Sequence, residues 1–181
     1  FVYSFVFGPP DPTTGMPVIF AGTQSGVFKS KNRGNTWRAT NSGLTNLFVG
    51  PLAIDPTDLK TLYAGTSYNY TTKTYNEGIF KTIDGAKSWS LSNKGFANRQ
   101  IPGLAVDPTD SQIGYAVADT SLFKTTEGGS HWDPMSSGLP FEGLNCLAID
   151  PKNTQILYGG SGNNRRGIFK STNGGETWNA I

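Results

Sequence analysis

Three carboxylates stand outside the repeated parts of the chain and could carry out acid–base chemistry. They are Glu77, Asp119 and Glu142. Cleavage of a glycosidic bond needs two carboxyl groups, roughly 5.5 Å apart for a nucleophile with a general acid, or about 6.5–9.5 Å apart when one of them activates a water. The sequence does not pair these three. They are therefore alternative candidates, and no residue is assigned a catalytic role.

A tyrosine-rich segment is a candidate binding site. Residues 67–77 hold Tyr68, Tyr70 and Tyr75, and the segment has no counterpart elsewhere in the chain. Tyrosine combines a flat apolar ring with a polar tip, which suits recognition of a sugar or a peptide. A tolerated surface insertion is the competing interpretation.

Other binding candidates lie in loops predicted to share one face with this segment. Arginine can hold a carboxylate or phosphate through two parallel hydrogen bonds. A solvated rim with little energetic weight is the alternative. These candidates are Arg99, Phe141, Asn164, Arg165 and Arg166.

The composition provides few residues for metal binding or disulfide formation. His131 is the only histidine and Cys146 the only cysteine, so we expect no metal site, no cofactor and no internal disulfide. Cys146 is predicted to be a small core residue. The net charge of +2 does not indicate nucleic acid as a partner, and no apolar run approaches the ~20 residues of a membrane span.

One hairpin pattern recurs four times and must position these candidates. A short apolar strand leads into a polar, glycine-rich turn, and a tryptophan follows the strand's phenylalanine by nine residues each time. The pairs are Phe28 with Trp37, Phe80 with Trp89, Phe123 with Trp132, and Phe169 with Trp178.

Each repeat contains four predicted strands, A to D, with 43 to 52 residues between equivalent phenylalanines. Four strands in about 45 residues are typical of a β-propeller blade. The sequence predicts an all-β propeller of four-stranded antiparallel blades at about 1–40, 48–92, 100–135 and 143–181. Pro51 and Pro102 are expected inside strand A, which places that strand at the edge beside the propeller axis.

Length variation is confined to the B–C connection. In an up-and-down blade the B–C and D–A connections lie on the same face of the propeller. That face is therefore where we expect a ligand to bind.

The repeated turn resembles the Asp-box, or BNR repeat, of certain β-propellers. Ser171–Trp178 is one copy, and the other three cover the rest of the chain. The resemblance assigns structural roles to the turn residue and the tryptophan of each copy. These residues are Asn32, Trp37, Asp84, Trp89, Glu127, Trp132, Asn173 and Trp178. The lysine after each phenylalanine is expected to extend its ammonium group into solvent.

Among Asp-box propellers, the amino-acid sequences of the repeats look most like those of xyloglucanases and secreted BNR-repeat proteins. They look more distantly like those of sortilin-type and sialidase-type propellers. No converging catalytic set is visible. The sequence therefore predicts a non-catalytic extracellular or cell-envelope scaffold for carbohydrate or protein binding. The alternative is part of a secreted glycoside hydrolase, xyloglucanase-like, acting on polysaccharide.

To close a ring, four blades would need an angle of ~90° between neighbouring blades. The constant spacing between repeats offers no extra connecting length for so wide an angle. We expect that these blades do not close on themselves. Further blades from the same or another chain are the expected partners, together with a glycan or peptide ligand on the B–C and D–A face. The first residue, Phe1, indicates a chain processed or cut from a longer one.

Overall fold

The computed structural model describes residues 1–68, 77–96, 99–135, 139, 143–161 and 167–181. The described residues form sixteen strands in four sheets. Blade 1 consists of β1 (Val2–Pro10), β2 (Pro17–Thr23), β3 (Gly26–Ser30) and β4 (Arg38–Ala39). Blade 2 consists of β5 (Val49–Ile54), β6 (Leu62–Thr66), β7 (Ile79–Thr82) and β8 (Ser90–Leu91). Blade 3 consists of β9 (Gly103–Val106), β10 (Gly114–Ala118), β11 (Ser121–Thr125) and β12 (Asp133–Met135). Blade 4 consists of β13 (Cys146–Ile149), β14 (Leu157–Ser161), β15 (Gly167–Ser171) and β16 (Asn179–Ala180).

Each sheet is an antiparallel meander with its strands in chain order, so the predicted propeller fold is confirmed. The first strand of each blade is an edge strand, and these first strands contact one another from blade to blade. Pro51 lies in β5 as expected, but Pro102 lies before β9, which begins at Gly103. Proline has no N–H group to donate, so a proline just outside a strand removes no hydrogen bond from the sheet.

The apolar core lies between blades, because strand side chains alternate between the two faces of a sheet. We call the face toward the following blade the leading face and the opposite one the trailing face. The second strand places an aromatic residue, and the third strand an aliphatic one, on the leading face. Phenylalanine of the third strand and the tryptophan occupy the trailing face. The cluster between blades 2 and 3, for example, contains Tyr63, Ile79, Phe123 and Trp132.

The turns between the third and fourth strands are held by side-chain hydrogen bonds. The Asn32 side-chain oxygen accepts from the Thr36 amide at 2.9 Å, and Asn173 holds Thr177 in the same way. Asp84 accepts from both the hydroxyl and the amide of Ser88, and these bonds hold its pKa well below the usual value.

A hydroxyl at the end of the third strand holds the turn in all four blades. Around Glu127, Thr125 Oγ1 accepts from the amides of Glu127 and Gly129, at 3.1 and 2.9 Å. Ser30, Thr82 and Ser171 accept from the equivalent amides in the other blades.

A lysine, a tyrosine or both join the turns of blades 2, 3 and 4 to the preceding blade. Lys29 Nζ donates to the Gly85 carbonyl at 2.8 Å, and Lys81 Nζ donates to the Gly128 carbonyl at 2.7 Å. Tyr63 donates its hydroxyl to the same Gly128 carbonyl at 2.7 Å. The expectation that these lysines reach into solvent is wrong for Lys29 and Lys81. Burial lowers the pKa of both amines.

The four blades form an open arc in the described residues. Blade 1 contacts blade 2, blade 2 contacts blade 3 and blade 3 contacts blade 4, whereas no element of blade 4 makes a comparable contact with blade 1. The expectation that the chain does not close on itself is confirmed. The prediction for Cys146 is wrong for this chain, because it lies exposed on the leading face of blade 4.

Trp132 and Trp37 occupy equivalent positions in different surroundings. Trp132 is 1% exposed and donates Nε1 to the Ser92 carbonyl of blade 2, whereas Trp37 is 36% exposed. Trp132→Ala should lower the free energy of unfolding by about 3–5 kcal/mol, and Trp37→Ala by about 1 kcal/mol. Urea titrations of both variants measure this difference. Equal losses would contradict the assignment of the core to the spaces between blades.

Tyr63 should make stability depend on alkaline pH. Burial raises its pKa from 10.0 to about 12, so the folded state favours the protonated hydroxyl. This contribution is present below pH 10.0 and is lost as the pH rises through about 12.

The matched variant is Tyr63→Phe, because blade 1 already carries Phe20 at the equivalent position. It should cost about 1 kcal/mol at neutral pH, since Lys81 still donates to the Gly128 carbonyl. Denaturant titrations should show that the difference in unfolding free energy between wild type and variant becomes smaller above pH 10.0. A gap that stays constant would count against a buried, protonated hydroxyl.

Candidate functional site

A cleft of about 410 Å³ opens where the inner ends of blades 1, 2 and 3 meet. Its walls come from the start of β1, the connection before β5 and the first residues of β5, the residues after β6 and the connection before β9. The lining residues are Tyr3, Ser4, Phe48, Gly50, Pro51, Ser67, Tyr68, Gln100, Ile101 and Pro102.

Aromatic rings from two blades form one side of the cleft. The ring centroids of Tyr3 and Phe48 lie 5.1 Å apart with the planes inclined by 31°. Tyr3 is 47% exposed, so a large part of its ring is open to solvent. Tyr68 adds a third aromatic side chain from the residues after β6.

Buried Asn46 fixes the position of Phe48. Its side-chain oxygen accepts from the Phe48 amide at 2.9 Å, and its side-chain nitrogen donates to the Ser67 carbonyl at 2.9 Å. The Ser67 amide in turn donates to the Phe48 carbonyl at 3.1 Å. One asparagine thus ties together two connections that contribute lining residues.

The third blade is joined to this wall by close backbone packing. The Ile101 amide donates to the Thr66 carbonyl at 3.1 Å, and the Ile101 side chain is fully buried. A Cβ atom at Gly65 would lie 2.7 Å from Ile101 Cγ2, so this approach requires glycine. The Ser4 hydroxyl joins blade 1 by donating to the Gly50 carbonyl at 2.7 Å.

Arg99 and Asp119 pair with each other outside the cleft lining. Arg99 Nη1 lies 3.1 Å from Asp119 Oδ2, and Asp119 Oδ1 accepts from the Gln100 amide at 3.1 Å. The Arg99 guanidinium also lies 6.0 Å from the ring centroid of Phe123. Asp119 adopts a left-handed conformation (φ 53°) and donates its own amide to the Gln100 carbonyl. These contacts hold the Gln100 backbone at the edge of the cleft.

Glu77 also lies outside the cleft lining and accepts a hydrogen bond from the Thr45 hydroxyl. Tyr68 is therefore the predicted ligand-binding residue that lines the cleft. The remaining candidates fall outside the described residues: Tyr70, Tyr75, Phe141, Glu142, Asn164, Arg165 and Arg166.

Sequence reasoning missed Tyr3 and Phe48. One signal was available for Phe48, because Phe48 and Gln100 each stand seven residues before the aspartate that follows the first strand, Asp55 and Asp107. Both residues of this repeat position line the cleft. No comparable signal marks Tyr3.

The lining residues suit a neutral ligand. They include no Asp, Glu, Lys or Arg, and their polar groups are hydroxyls, an amide and backbone atoms. Flat rings beside uncharged donors and acceptors match a ligand with apolar faces and many hydroxyl groups. This surface can bind and orient such a ligand, and its described lining residues carry no carboxyl group.

Among the described residues, no three His, Cys, Asp or Glu side chains converge as a metal site would require. No helix in the described part of the chain is long and apolar enough to cross a membrane.

No protein-family model matches the chain. A xyloglucanase from Hypocrea jecorina is 31% identical over 129 residues, which cover 64% of this chain and 15% of the xyloglucanase. Two solved structures cover 99% of the chain. An ancestral GH74 enzyme matches with a TM-score of 0.78 and 24% identity, and the GH74 enzyme of Niastella koreensis with 0.71 and 26%.

The chain is a β-propeller similar to those of xyloglucanases. It spans 15% of the Hypocrea enzyme and 24% and 30% of the two structures. The likeness therefore covers four blades of considerably longer proteins.

Proposed function

We propose that this chain is the polysaccharide-binding part of a secreted or cell-envelope glycoside hydrolase, and that its ligand is xyloglucan or a similar neutral glucan. One observation carries the proposal: an uncharged cleft lined by Tyr3, Phe48 and Tyr68, in a chain 31% identical to a xyloglucanase over 129 residues. The relatives favour the hydrolase alternative over the scaffold that the sequence alone predicts.

The physical basis is stacking of sugar rings on aromatic rings. The C–H face of a pyranose is apolar and its rim carries hydroxyls, so it fits a flat ring flanked by polar groups. In the cleft, the hydroxyls of Ser4 and Ser67 and the Gln100 amide stand beside the aromatic side chains. A volume of about 410 Å³ lies in the range of small-ligand sites, so it suits a short stretch of polysaccharide.

Hydrolysis needs two carboxyl groups facing the bound sugar. Asp119 accepts from Arg99 and Gln100, and Glu77 accepts from Thr45. A second candidate function is binding without turnover. One observation favours it: the carboxyl groups of Asp119 and Glu77, the two described catalytic candidates, already accept hydrogen bonds from other residues of the protein. Glu142 lies outside the described residues.

Binding should weaken when the cleft loses its rings. Phe48→Ala and Tyr68→Ala should each reduce affinity for xyloglucan oligosaccharides about tenfold, which corresponds to about 1.4 kcal/mol. Isothermal titration calorimetry measures the affinity, and thermal melts verify that both variants remain folded.

Leu91→Ala is the matched control, since Leu91 is an exposed apolar residue on the outer strand β8. It should bind as wild type does, and polygalacturonate, which is charged, should not bind. Unchanged affinity in both cleft variants would remove the cleft from the proposal.

A reducing-end assay on the same xyloglucan separates the two functions. Release of reducing ends that Glu142→Gln or Glu77→Gln abolishes would assign hydrolysis to this chain. Binding without release would assign the second function.

A further inference from the structure

One backbone hydrogen bond recurs beside the first strand of blades 1, 2 and 3. In each blade, the first residue after the second strand donates its amide to a carbonyl ahead of the first strand. The accepting and donating residues are Phe1 with Gln24 at 3.1 Å, Phe48 with Ser67 at 3.1 Å, and Gln100 with Asp119 at 2.8 Å. We call the accepting residue the pre-strand residue. The shared bond makes Gln100 the counterpart of Phe48.

Blade 3 places a side chain of different chemistry at this position. Blades 1 and 2 have phenylalanine there, and blade 3 has Gln100. Both Phe48 and Gln100 line the cleft. A phenyl ring offers a flat apolar face, whereas a carboxamide presents N–H donors and a carbonyl acceptor side by side. The pre-strand residue of blade 3 therefore suits hydrogen bonding to a ligand, in the same cleft where that of blade 2 suits stacking.

The backbone of Gln100 is anchored on both sides. Its amide donates to Asp119 Oδ1 at 3.1 Å, in addition to the bond that its carbonyl accepts from the Asp119 amide. The following residue, Ile101, is fully buried and donates its amide to the Thr66 carbonyl. A fixed backbone limits the positions that the Gln100 side chain can reach, as recognition of one ligand geometry requires.

The conformation of Asp119 suits this contact. Its other carboxylate oxygen, Oδ2, lies 3.1 Å from Arg99 Nη1, so the two oxygens have different partners. Its backbone is left-handed, with φ of 53°, a conformation that aspartate and asparagine adopt more readily than most other residues. In this conformation its amide and its carboxylate both contact the Gln100 backbone.

The Gln100 side chain is available to a ligand. It is exposed, and none of the described residues makes a hydrogen bond with its carboxamide. Ser4 differs, because its hydroxyl already donates to the Gly50 carbonyl. Gln100 therefore brings to the cleft a donor and an acceptor that the described part of the protein does not use.

We propose that Gln100 is a specificity-determining residue of the cleft and that Asp119 is the positioning residue that holds it. The inference rests on the proposed function, since it concerns the glucan that the cleft binds. The Gln100 carboxamide pairs with hydroxyl groups of a sugar ring stacked on the aromatic side chains. It therefore distinguishes a glucan backbone from a mannan backbone, in which the C2 hydroxyl points in a different direction.

Hydrogen bonding, more than stacking, supplies this selectivity. Contact with apolar surface discriminates weakly between ligands of similar shape. A polar group positioned for a ligand hydroxyl, by contrast, rejects a ligand that leaves it unpaired. The loss of one such bond corresponds to about a tenfold change in affinity.

Isothermal titration calorimetry with cellohexaose and mannohexaose tests the role of Gln100. Wild type should bind cellohexaose about tenfold more tightly than mannohexaose. Gln100→Phe installs the residue that blade 2 carries, so the variant should fold and bind both within about twofold of each other. Gln100→Ala should lose the preference in the same way.

Gln112→Phe is the matched control. Gln112 is exposed in the connection between β9 and β10, on the opposite face of the propeller from the cleft. This variant should retain the preference of wild type.

The outcomes separate this inference from the proposed function. A wild-type chain that binds neither hexasaccharide nor xyloglucan oligosaccharides would overturn both. A chain that binds xyloglucan oligosaccharides without preferring cellohexaose would overturn the assignment of Gln100 alone. A preference that survives in Gln100→Phe or Gln100→Ala would do the same.

Two substitutions of Asp119 test the positioning role. Asp119→Asn keeps a side-chain oxygen for the Gln100 amide and should retain most of the preference for cellohexaose. Asp119→Gly suits the left-handed backbone but removes that oxygen, so the preference should fall to about threefold or less. Thermal melts verify that both variants remain folded, as expected because an exposed ion pair contributes little to stability. An unchanged preference in Asp119→Gly would refute the positioning role.

Discussion

A blade of this protein is one sheet with two apolar faces, and it cannot cover either face by itself. Neighbouring blades must supply the missing contacts, so stability depends on stacking, as in other repeat proteins. Aromatic and aliphatic residues are divided between the two faces, and tyrosine and lysine donors meet a turn carbonyl at the rim. The packing of the described sheets against one another follows from how these faces meet.

The cleft is a consequence of the same stacking. Its lining comes from three blades, and no single repeat contains more than part of it. Asn46 and Ile101 are buried where the connections meet the stacked sheets, so the loops inherit their geometry from the rigid blades. Binding residues carried by short loops on such a scaffold are held in place before a ligand arrives.

The sequence predicted the strands and turns within each repeat and missed the contacts made between repeats. The constant nine-residue step from phenylalanine to tryptophan predicts the hairpins, because every copy meets the same packing requirement. Tyr3 and Phe48 meet only through the arrangement of different blades, which no local pattern contains. The role of Lys29 was missed for a related reason, because its acceptor, the Gly85 carbonyl, belongs to the next repeat. Cys146 was misplaced because the repeat aligns it with Pro51 and Gly103, which are followed by another blade in this chain, whereas Cys146 is exposed.

Donors of blades 1, 2 and 3 find their acceptors in the turn of the blade that follows. Lys81 and Tyr63 are 47 and 65 residues before Gly128, so neither bond can form until the third strand of blade 3 has been completed. During synthesis, which proceeds from the N-terminus, the most recently made blade therefore always lacks partners for its leading face. The nascent chain carries one uncovered apolar surface forward from blade to blade, and a ribosome-bound chaperone would meet the same type of surface at every stage.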